Sequence, residues 1–430
     1  MQVYLKALGC RLNEAELEQW AQAFRQQGYG LASTAAEADL MVVNSCAVTA
    51  EAVRKSRHLL RQLQRHNPAG KLVVSGCFAS LSPAEAAQLG ADLVVSNQDK
   101  EQLVRLSCEA FDLPSAPMSA TEPGESALFA RERSRAFIKV QDGCRYQCTF
   151  CIVTVARGAE RSRPIAEVVA EVQRLQAQGV QEVILSGVHL GGYGSDTGEN
   201  LTALVRTVLQ ETAMPRVRLG SVEPWGLPPE FFELFSQPRL LPHLHLPLQS
   251  GSDQILRRMA RRCKSADFVA LVEQARRQIP DFNLSTDVIV GFPGETAADW
   301  QQTLALVESI GFGHLHIFPY SPRTGTRAAD LAGQVDGVIK KQRVRELHTL
   351  GQAMKRSTLA RYLGRHFEVL WESKQTAAPD GQVRRWGYTP NFLRVAVDVP
   401  PERELAHTIR LAELKAVDES GEFAQVNLLD

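Results

Sequence analysis

Short apolar runs alternate with amphipathic stretches through the first hundred residues. VYLKAL is followed by EAELEQWAQAFRQQG, DLMVVN by AEAVRKSRHLLRQLQRH, and KLVVS and DLVVS complete the series. Apolar runs separated by helical periodicity predict parallel strands joined by crossover helices, here an open parallel α/β domain over residues 1–110. Over 111–131 the chain, including DLPSAPMSATEPGESALFA, loses periodicity and fills with Pro, Ser and Gly, the composition of a linker. Alternation resumes over 132–360, with AFIKVQ, EVILSG, RVRLGS, LHLPLQ, STDVIVG and HLHIFPY as strands between helical segments. Six such units predict an open, partial (βα)6 barrel rather than a closed eightfold one. Lys340 to Arg365 reads as one helix with eight basic residues and a single acid, Glu346. Over 361–430 the strands FEVLWES, RRWGYTP and FLRVAVDV follow without a clear helix, which predicts a small carboxyl-terminal β-barrel of the oligonucleotide-binding type.

Composition narrows the function classes. A chain of 430 residues divides into two or three domains of ordinary size. Its 48 basic residues match 48 acidic ones, so total charge steers it to no polyanion and any nucleic-acid contact must come from local patches. No apolar run approaches the ~18 residues of a membrane span, and MQVYLKALGC opens on a strand pattern rather than a signal peptide. A cytoplasmic protein without membrane association is expected. In that reducing compartment the eight cysteines are expected to be metal ligands, reactive groups or buried thiols rather than disulfides.

Six of the cysteines fall into two sets. Cys144, Cys148 and Cys151 occupy GCRYQCTFC, directly after the first predicted barrel strand, where such barrels place their chemistry. Three thiolates at this spacing suit three irons of a 4Fe–4S cluster; the alternative, a zinc knuckle, needs a further Cys or His that does not follow at ligand distance. Cys10, Cys46 and Cys77 each end a strand of the first domain, in LKALGC, LMVVNSC and KLVVSGC. Carboxyl ends of neighbouring parallel strands lie together, so these three converge at one crevice, as a second three-cysteine set or as three buried thiols. Cys108 and Cys263 lack partners at ligand spacing and read as ordinary thiols.

Cys-x3-Cys-x2-Cys with Phe150 before the last cysteine resembles the signature of radical S-adenosylmethionine enzymes. The resemblance implies a cluster whose fourth iron binds the amino and carboxylate groups of S-adenosylmethionine, and cleavage of the sulfonium to a 5′-deoxyadenosyl radical. It also implies cofactor contacts at strand ends: Ser186 and Gly187 in EVILSGVHLGG, Ser221 and Glu223 in LGSVEP, Gln249 in LPLQSG, and Asp287 in DVIVGFPGE. Each of these also fits an ordinary strand terminus. The wider set LGCRLNEAE, NSCAVTAEAVRKSR, VSGC, DGCRYQCTFCIVTVARGAERSR, LSGVHLGGYG, HLHLPLQSGS and TDVIVGFPGET resembles the methylthiotransferases over nearly the whole chain, and GYTPNFLRVAV looks like their TRAM domain.

That family implies two 4Fe–4S clusters, one on each cysteine set, and two uses of S-adenosylmethionine, as radical source and as methyl donor. Its members act on isopentenyladenosine in tRNA, on threonylcarbamoyladenosine in tRNA, or on an aspartate of a ribosomal protein. NSCAVT with KSR, SGVHLGGYG and HLHIFPYSPRTGTRAA lean toward the threonylcarbamoyladenosine members, although GCRLNEAE stands where that type more often has Gln and Tyr. The implied product is 2-methylthio-N6-threonylcarbamoyladenosine at tRNA position 37, made by a monomer served by a reducing partner such as a flavodoxin. Contacts to the anticodon stem-loop are expected from Arg157, Arg161 and Arg163, from the basic stretch Arg54–Arg65 and the Lys340–Arg365 helix, and from Trp386, Tyr388 and Phe392 as base-stacking groups. Solvated helix faces and core aromatics are the alternatives for these. The rivals in function are a protein methylthiotransferase, and a non-catalytic iron–sulfur electron carrier or zinc RNA-binding protein.

Overall fold

The computed structural model describes residues 1–113 and 134–429; the expected linker lies outside the described residues from 114 on. Two compact units are present. The first gathers residues 1–113 with Gln141–Arg161 and Ser321–Ala329, and the second gathers 134–140, Ser162–Tyr320 and 330–429. The cysteine loop, although it follows a barrel strand in sequence, therefore packs within the first unit.

In the first unit the strands β1 (Gln2–Ala7), β2 (Gly30–Leu31), β3 (Leu40–Ser45), β4 (Lys71–Gly76) and β5 (Leu93–Val94) form a parallel sheet in the order β2-β1-β3-β4-β5. The whole of β3 is buried, as a central parallel strand covered on both faces must be. Its side chains divide by the two-residue period. Met41 and Val43 join Leu60, Leu72, Val74 and Phe78 on one face, while Leu40 and Val42 join Leu17, Trp20, Phe24 and Val73 on the other. Helices α1 (Arg11–Gln26), α2 (Ala50–His66), α3 (Cys77–Leu81), α4 (Pro83–Gln88), α5 (Leu103–Ala110) and α6 (Val153–Arg157) complete the unit. Thr49 caps α2 by accepting a hydrogen bond from the Ala52 amide at 3.1 Å.

The second unit begins with β6 (Arg135–Lys139), α7 (Ile165–Ala177), β7 (Glu182–Ser186), α8 (Leu201–Glu211) and β8 (Arg216–Leu219). It continues with β9 (His243–His245), α9 (Asp253–Arg258), α10 (Ser265–Gln278), β10 (Asn283–Val290), α11 (Ala297–Ile310) and β11 (His314–Pro319). Two three-stranded parallel sheets, β6-β7-β8 and β9-β10-β11, meet through the parallel bridges Val217–Leu240 and Ser221–His245. Six parallel strands in chain order, with β6 and β11 at the edges, make the expected open barrel. The core is one continuous cluster of β-strand and helix side chains, from Ile138 and Val183 to Phe312 and Leu347.

The basic helix α12 spans Gly337–Arg361 and leads into β12 (His366–Ala377), β13 (Val383–Tyr388), β14 (Arg394–Val399), β15 (Ile409–Val417) and β16 (Ala424–Leu428). These five close into a barrel in the order β12-β13-β14-β16-β15, with β15 returning to β12 and so removing both sheet edges. The last two strands had no sequence signal beyond a few alternating positions. This small barrel is fastened to the large one within the same unit: Arg218 donates to the Pro390 carbonyl at 3.1 Å and Asn283 to the Asn391 carbonyl at 2.8 Å. No helix among the described residues is long and apolar enough to cross a membrane.

Candidate functional site

The strand-end cysteines meet where the sheet register requires. Ser45 on β3 pairs with Gly76 on β4, so Cys46 and Cys77 leave adjacent strands at the same level, and Leu8, just past β1, donates its amide to the Asn44 carbonyl at 2.9 Å. Cys10 follows at the start of α1. The approach is close enough that a Cβ on Gly9 would lie 2.4 Å from the Cys46 Sγ, and Gly9 has φ +97°, a region that suits glycine. Ser56 fixes Cys46 from both sides, accepting from its amide at 3.1 Å and donating to its carbonyl at 2.9 Å. Burial pushes the Cys46 thiol up to about 11, and the neighbouring Cys10 and Cys77 add to the rise. Three thiols within electrostatic reach of one another, with a glycine leaving room beside them, form a donor set that fits an iron–sulfur cluster.

Cys144, Cys148 and Cys151 lie half-buried on a loop held at both ends. The Cys144 amide donates to the Gly158 carbonyl at 3.0 Å, and a Cβ on Gly143 would lie 1.8 Å from the Ala159 oxygen. Thr154 donates to the Tyr146 carbonyl at 2.9 Å, Ala328 to the Thr149 carbonyl at 2.8 Å, and Arg327 to the Gln147 carbonyl at 2.8 Å. The Tyr146 amide points at the Cys144 Sγ from 3.4 Å, the kind of N–H to sulfur contact that tunes a bound cluster. Phe150 is half-buried beside Cys151 in the same loop. This donor set also fits a cluster.

Under the first cysteine set lies a buried polar network of which sequence reasoning saw only one member, and that one wrongly. Arg157, expected to touch RNA phosphates, has 1% of its side chain exposed. Its Nη1 lies 2.9 Å from both Glu16 and Asp142, and its Nη2 donates to Asn13 at 2.7 Å. Enclosed by carboxylates, it is unavailable to a surface ligand. Against burial, which would push it down, Glu16, Cys77 and Asp142 hold its guanidinium well above the ordinary arginine value. Lys100, which reads as a surface residue in NQDKEQLV, pairs with Glu16 at 2.6 Å and with Asp142. Asn97 directs its Nδ2 toward Cys77 Sγ at 3.8 Å and donates to the Ala156 carbonyl at 2.8 Å. No local pattern marks these residues; only the fold brings them together.

In the second unit the expected cofactor contacts occupy the carboxyl half of the open barrel. Ser186 ends β7 and Gly187 follows it; Glu223 lies past β8, and Gln249 lies past β9 with φ +72°, its amide donating to the Asp287 carbonyl at 2.8 Å. Burial raises the Glu223 carboxyl, while His189, at 3.8 Å, and Arg261 oppose the rise. Asp287 sits within β10, 3.2 Å from His245 Nε2. A row of imidazoles stands beside it: His243 Nε2 and His245 Nδ1 share Ser285 Oγ at 3.0 and 2.9 Å, and His245 faces His316 with ring centres 5.3 Å apart. The repeated HLH in HLHLPLQ and HLHIFPY is the signal for this row, since residues two apart share a strand face.

The remaining RNA expectations divide. Arg161 is exposed, 3.9 Å from Asp142, whereas Arg163 is turned inward to Glu171 at 2.6 Å and to the Lys139 carbonyl at 3.0 Å. On α2, Arg54 and Lys55 pair with Glu51 and Arg57 with Glu85, leaving Arg61 and Arg65 without an ion pair among the described residues. Part of the α12 charge is paired, Arg343 with buried Glu295 at 2.5 Å and Lys355 with Glu422, and just past the helix Arg365 pairs with Asp281 at the surface. Trp386 is a core group, 8% exposed, edge-on to Phe423 and covered by the Arg394 guanidinium at 4.0 Å, so it presents no open face to a base. Tyr388 stacks on Phe392 at 4.8 Å beneath Arg135, and Phe392 also packs on His243. Cys108 lies 3.6 Å from the Tyr29 hydroxyl, and Cys263 is half-buried against the barrel core.

Comparison with known proteins matches residues 138–307 to the Radical SAM superfamily and residues 2–96 to the Uncharacterized protein family UPF0004. A threonylcarbamoyladenosine tRNA methylthiotransferase MtaB of Thermotoga maritima is 37% identical over 376 residues, 86% of each chain. The enzyme of that name from Bacillus subtilis is 36% identical over 91% of this chain and 89% of its own. A tRNA-2-methylthio-N(6)-dimethylallyladenosine synthase of Roseobacter denitrificans is 35% identical over 86% of this chain and 87% of its own. Among solved structures, the radical S-adenosylmethionine methyltransferase TsrM of Kitasatospora setae shares the fold, with a TM-score of 0.59 and 16% identity over 76% of this chain and 77% of its own. With relatives of this identity along most of its length, and a cysteine set in each of the places described above, the chain belongs to the methylthiotransferase family of radical S-adenosylmethionine enzymes.

Proposed function

We propose that this protein converts N6-threonylcarbamoyladenosine at position 37 of tRNA into its 2-methylthio derivative, with the anticodon stem-loop as the recognised element and a flavodoxin-like reductant as the electron source. The observation that carries the reading is the pair of cysteine sets, one on the strand ends of the first unit and one on its closing loop, in a chain 34–37% identical over most of its length to proteins named threonylcarbamoyladenosine tRNA methylthiotransferase. Cys144, Cys148 and Cys151 would hold the cluster that binds S-adenosylmethionine, and Cys10, Cys46 and Cys77 the one that carries the sulfur. These groups supply one-electron chemistry able to replace the carbon-2 hydrogen of adenine, which no side-chain base removes, and the sulfur and methyl that take its place.

The chain's own residues bind and orient. Gly9 and the register of β1, β3 and β4 bring three thiols to one point, and the Tyr146 amide donates toward Cys144. Ser186, Gly187, Glu223, Gln249 and Asp287 supply polar groups on the carboxyl half of the barrel, where the methionine and ribose portions of the cofactor would be held. Phe150 shields the loop beside Cys151. For the RNA, exposed Arg161 and the free face of α2 at Arg61 and Arg65 supply phosphate contacts.

Mass spectrometry of tRNA nucleosides from cells with and without the gene tests the reading. The 2-methylthio-N6-threonylcarbamoyladenosine peak should vanish on deletion; loss of the isopentenyl derivative instead would move the substrate. In the isolated protein, Cys148→Ala should stop S-adenosylmethionine cleavage, while Cys46→Ala keeps cleavage and ends methylthio formation. Methylthio product from the Cys46 variant would remove the sulfur-carrying role from that set.

A further inference from the structure

Four charged side chains meet in the interior of the first unit, each no more than 3% exposed: Glu16, Lys100, Asp142 and Arg157. Two carboxylates and two cations leave the group neutral. Its members come from four distant places in the sequence, three of them close along the chain to cysteines of the two sets. Glu16 lies on α1, which begins just after Cys10; Lys100 precedes α5; Asp142 stands two residues before Cys144; and Arg157 ends the helix that follows Cys151. Arg157 reaches furthest. The Asn13 oxygen that accepts from its Nη2 also lies 3.5 Å from the Cys10 sulfur, and the Asn13 Nδ2 donates to the carbonyls of Leu8 and Ser45, at 2.7 and 3.1 Å, which flank Cys10 and Cys46. Through Asn97, which holds the Ala156 carbonyl and faces Cys77, the same short helix touches the third cysteine's surroundings.

Burying ion pairs is poor economy for stability alone, since each ion costs several kcal/mol to desolvate and apolar residues of the same volume often serve as well. A cluster on three thiolates, however, is anionic and gains a further negative charge on reduction. A cation fixed nearby in a water-poor interior favours that reduced form, which raises the reduction potential. We propose that Arg157 is a positioning residue of the reaction: it locks the Cys144–Cys151 loop to the strand ends that carry Cys10, Cys46 and Cys77, and it sets the reduction potential of the cluster on those three. The inference rests on the two-cluster reading above. Geometry carries it: Asn13 joins the Arg157 guanidinium to the Cys10 sulfur, and Asn97 joins the helix that Arg157 ends to Cys77.

The test uses the full chain with Cys144, Cys148 and Cys151 replaced by Ala, so that a single cluster remains, reconstituted anaerobically and titrated under electron paramagnetic resonance. Arg157→Gln should lower the midpoint so that the reduced-to-oxidised ratio at fixed poise falls about tenfold, about 59 mV for one electron. Because that variant leaves Glu16 and Asp142 with one cation fewer, Asp142→Asn with Arg157→Gln keeps the network neutral and carries the test if the single variant does not fold. Arg157→Lys, which retains the charge, should restore the midpoint. An unmoved midpoint in both Gln variants, or an equal fall in the Lys variant, would reduce Arg157 to packing and overturn the inference. A parent that binds no cluster while Arg157 is intact would overturn the two-cluster reading itself.

Discussion

Gly9 shows how one residue type can be demanded by geometry. Its φ of +97° is open to glycine at little cost, and the space its Cβ would take belongs to the Cys46 side chain. Gly9→Ala is expected to lower stability by about 1–2 kcal/mol and, by displacing Cys46, to reduce reconstituted iron from about eight to about four per chain. Iron assay with urea unfolding of the apo-protein reads both. His243 makes a second prediction at this scale. Burial first, then Arg218 and the neighbouring histidines, push its imidazole well below the ordinary value, so it is neutral when folded. An unfolded chain binds the proton below about pH 6.5 while the folded chain refuses it, so stability present above that pH is lost as pH falls, by up to about 1.4 kcal/mol per unit. His243→Asn should flatten the decline of the urea midpoint between about pH 6.5 and 5; an unchanged slope would remove His243 as its source.

Among elements, α12 teaches the most, because its charge pattern invited a reading as an RNA-facing surface. Arg343 instead pairs with Glu295, buried below the reach of solvent, and the single acid, Glu346, accepts from Trp300 Nε1 on α11 at 2.7 Å. The helix is bolted to the barrel by its polar residues as much as by Leu347 and Met354. Arg343→Met should therefore destabilise by about 3–5 kcal/mol, since it strands the Glu295 carboxylate, and Glu295→Gln in the same chain should recover part of the loss. Chemical denaturation of the two variants measures it. The helix itself was legible from its composition; which side chains face inward was not, since its polar residues pack as well as its apolar ones.

For the whole molecule, the arginines expected to bind RNA sort by burial. Arg61→Glu with Arg65→Glu should weaken tRNA binding and lower the slope of log K against log salt by about 1.4–1.8, as two phosphate contacts are lost. A slope equal to the parent's would place the RNA elsewhere. Trp386→Ala should behave oppositely, costing about 3–5 kcal/mol of stability because it removes a buried ring packed on Ala396 and Phe423 rather than uncovering a base-stacking face.

The alternation of strands and helices in the first domain, the six strands of the open barrel and the tight spacing of Cys144, Cys148 and Cys151 could be read in advance, because each is written in local periodicity or in spacing along a single loop, whereas the last two strands of the small barrel could not. Strand ends even foretold the meeting of Cys10, Cys46 and Cys77, since parallel register leaves neighbouring carboxyl ends nowhere else to go. What the chain order could not convey was partnership across distance. Arg157 sits in a run of basic residues, Lys100 in a polar turn and Trp386 in a strand that reads as half-exposed, and each owes its burial to groups tens to hundreds of residues away. Burial of a charge depends on the field and the solvent exclusion at one point in space, and only the folded chain determines which charges share that point.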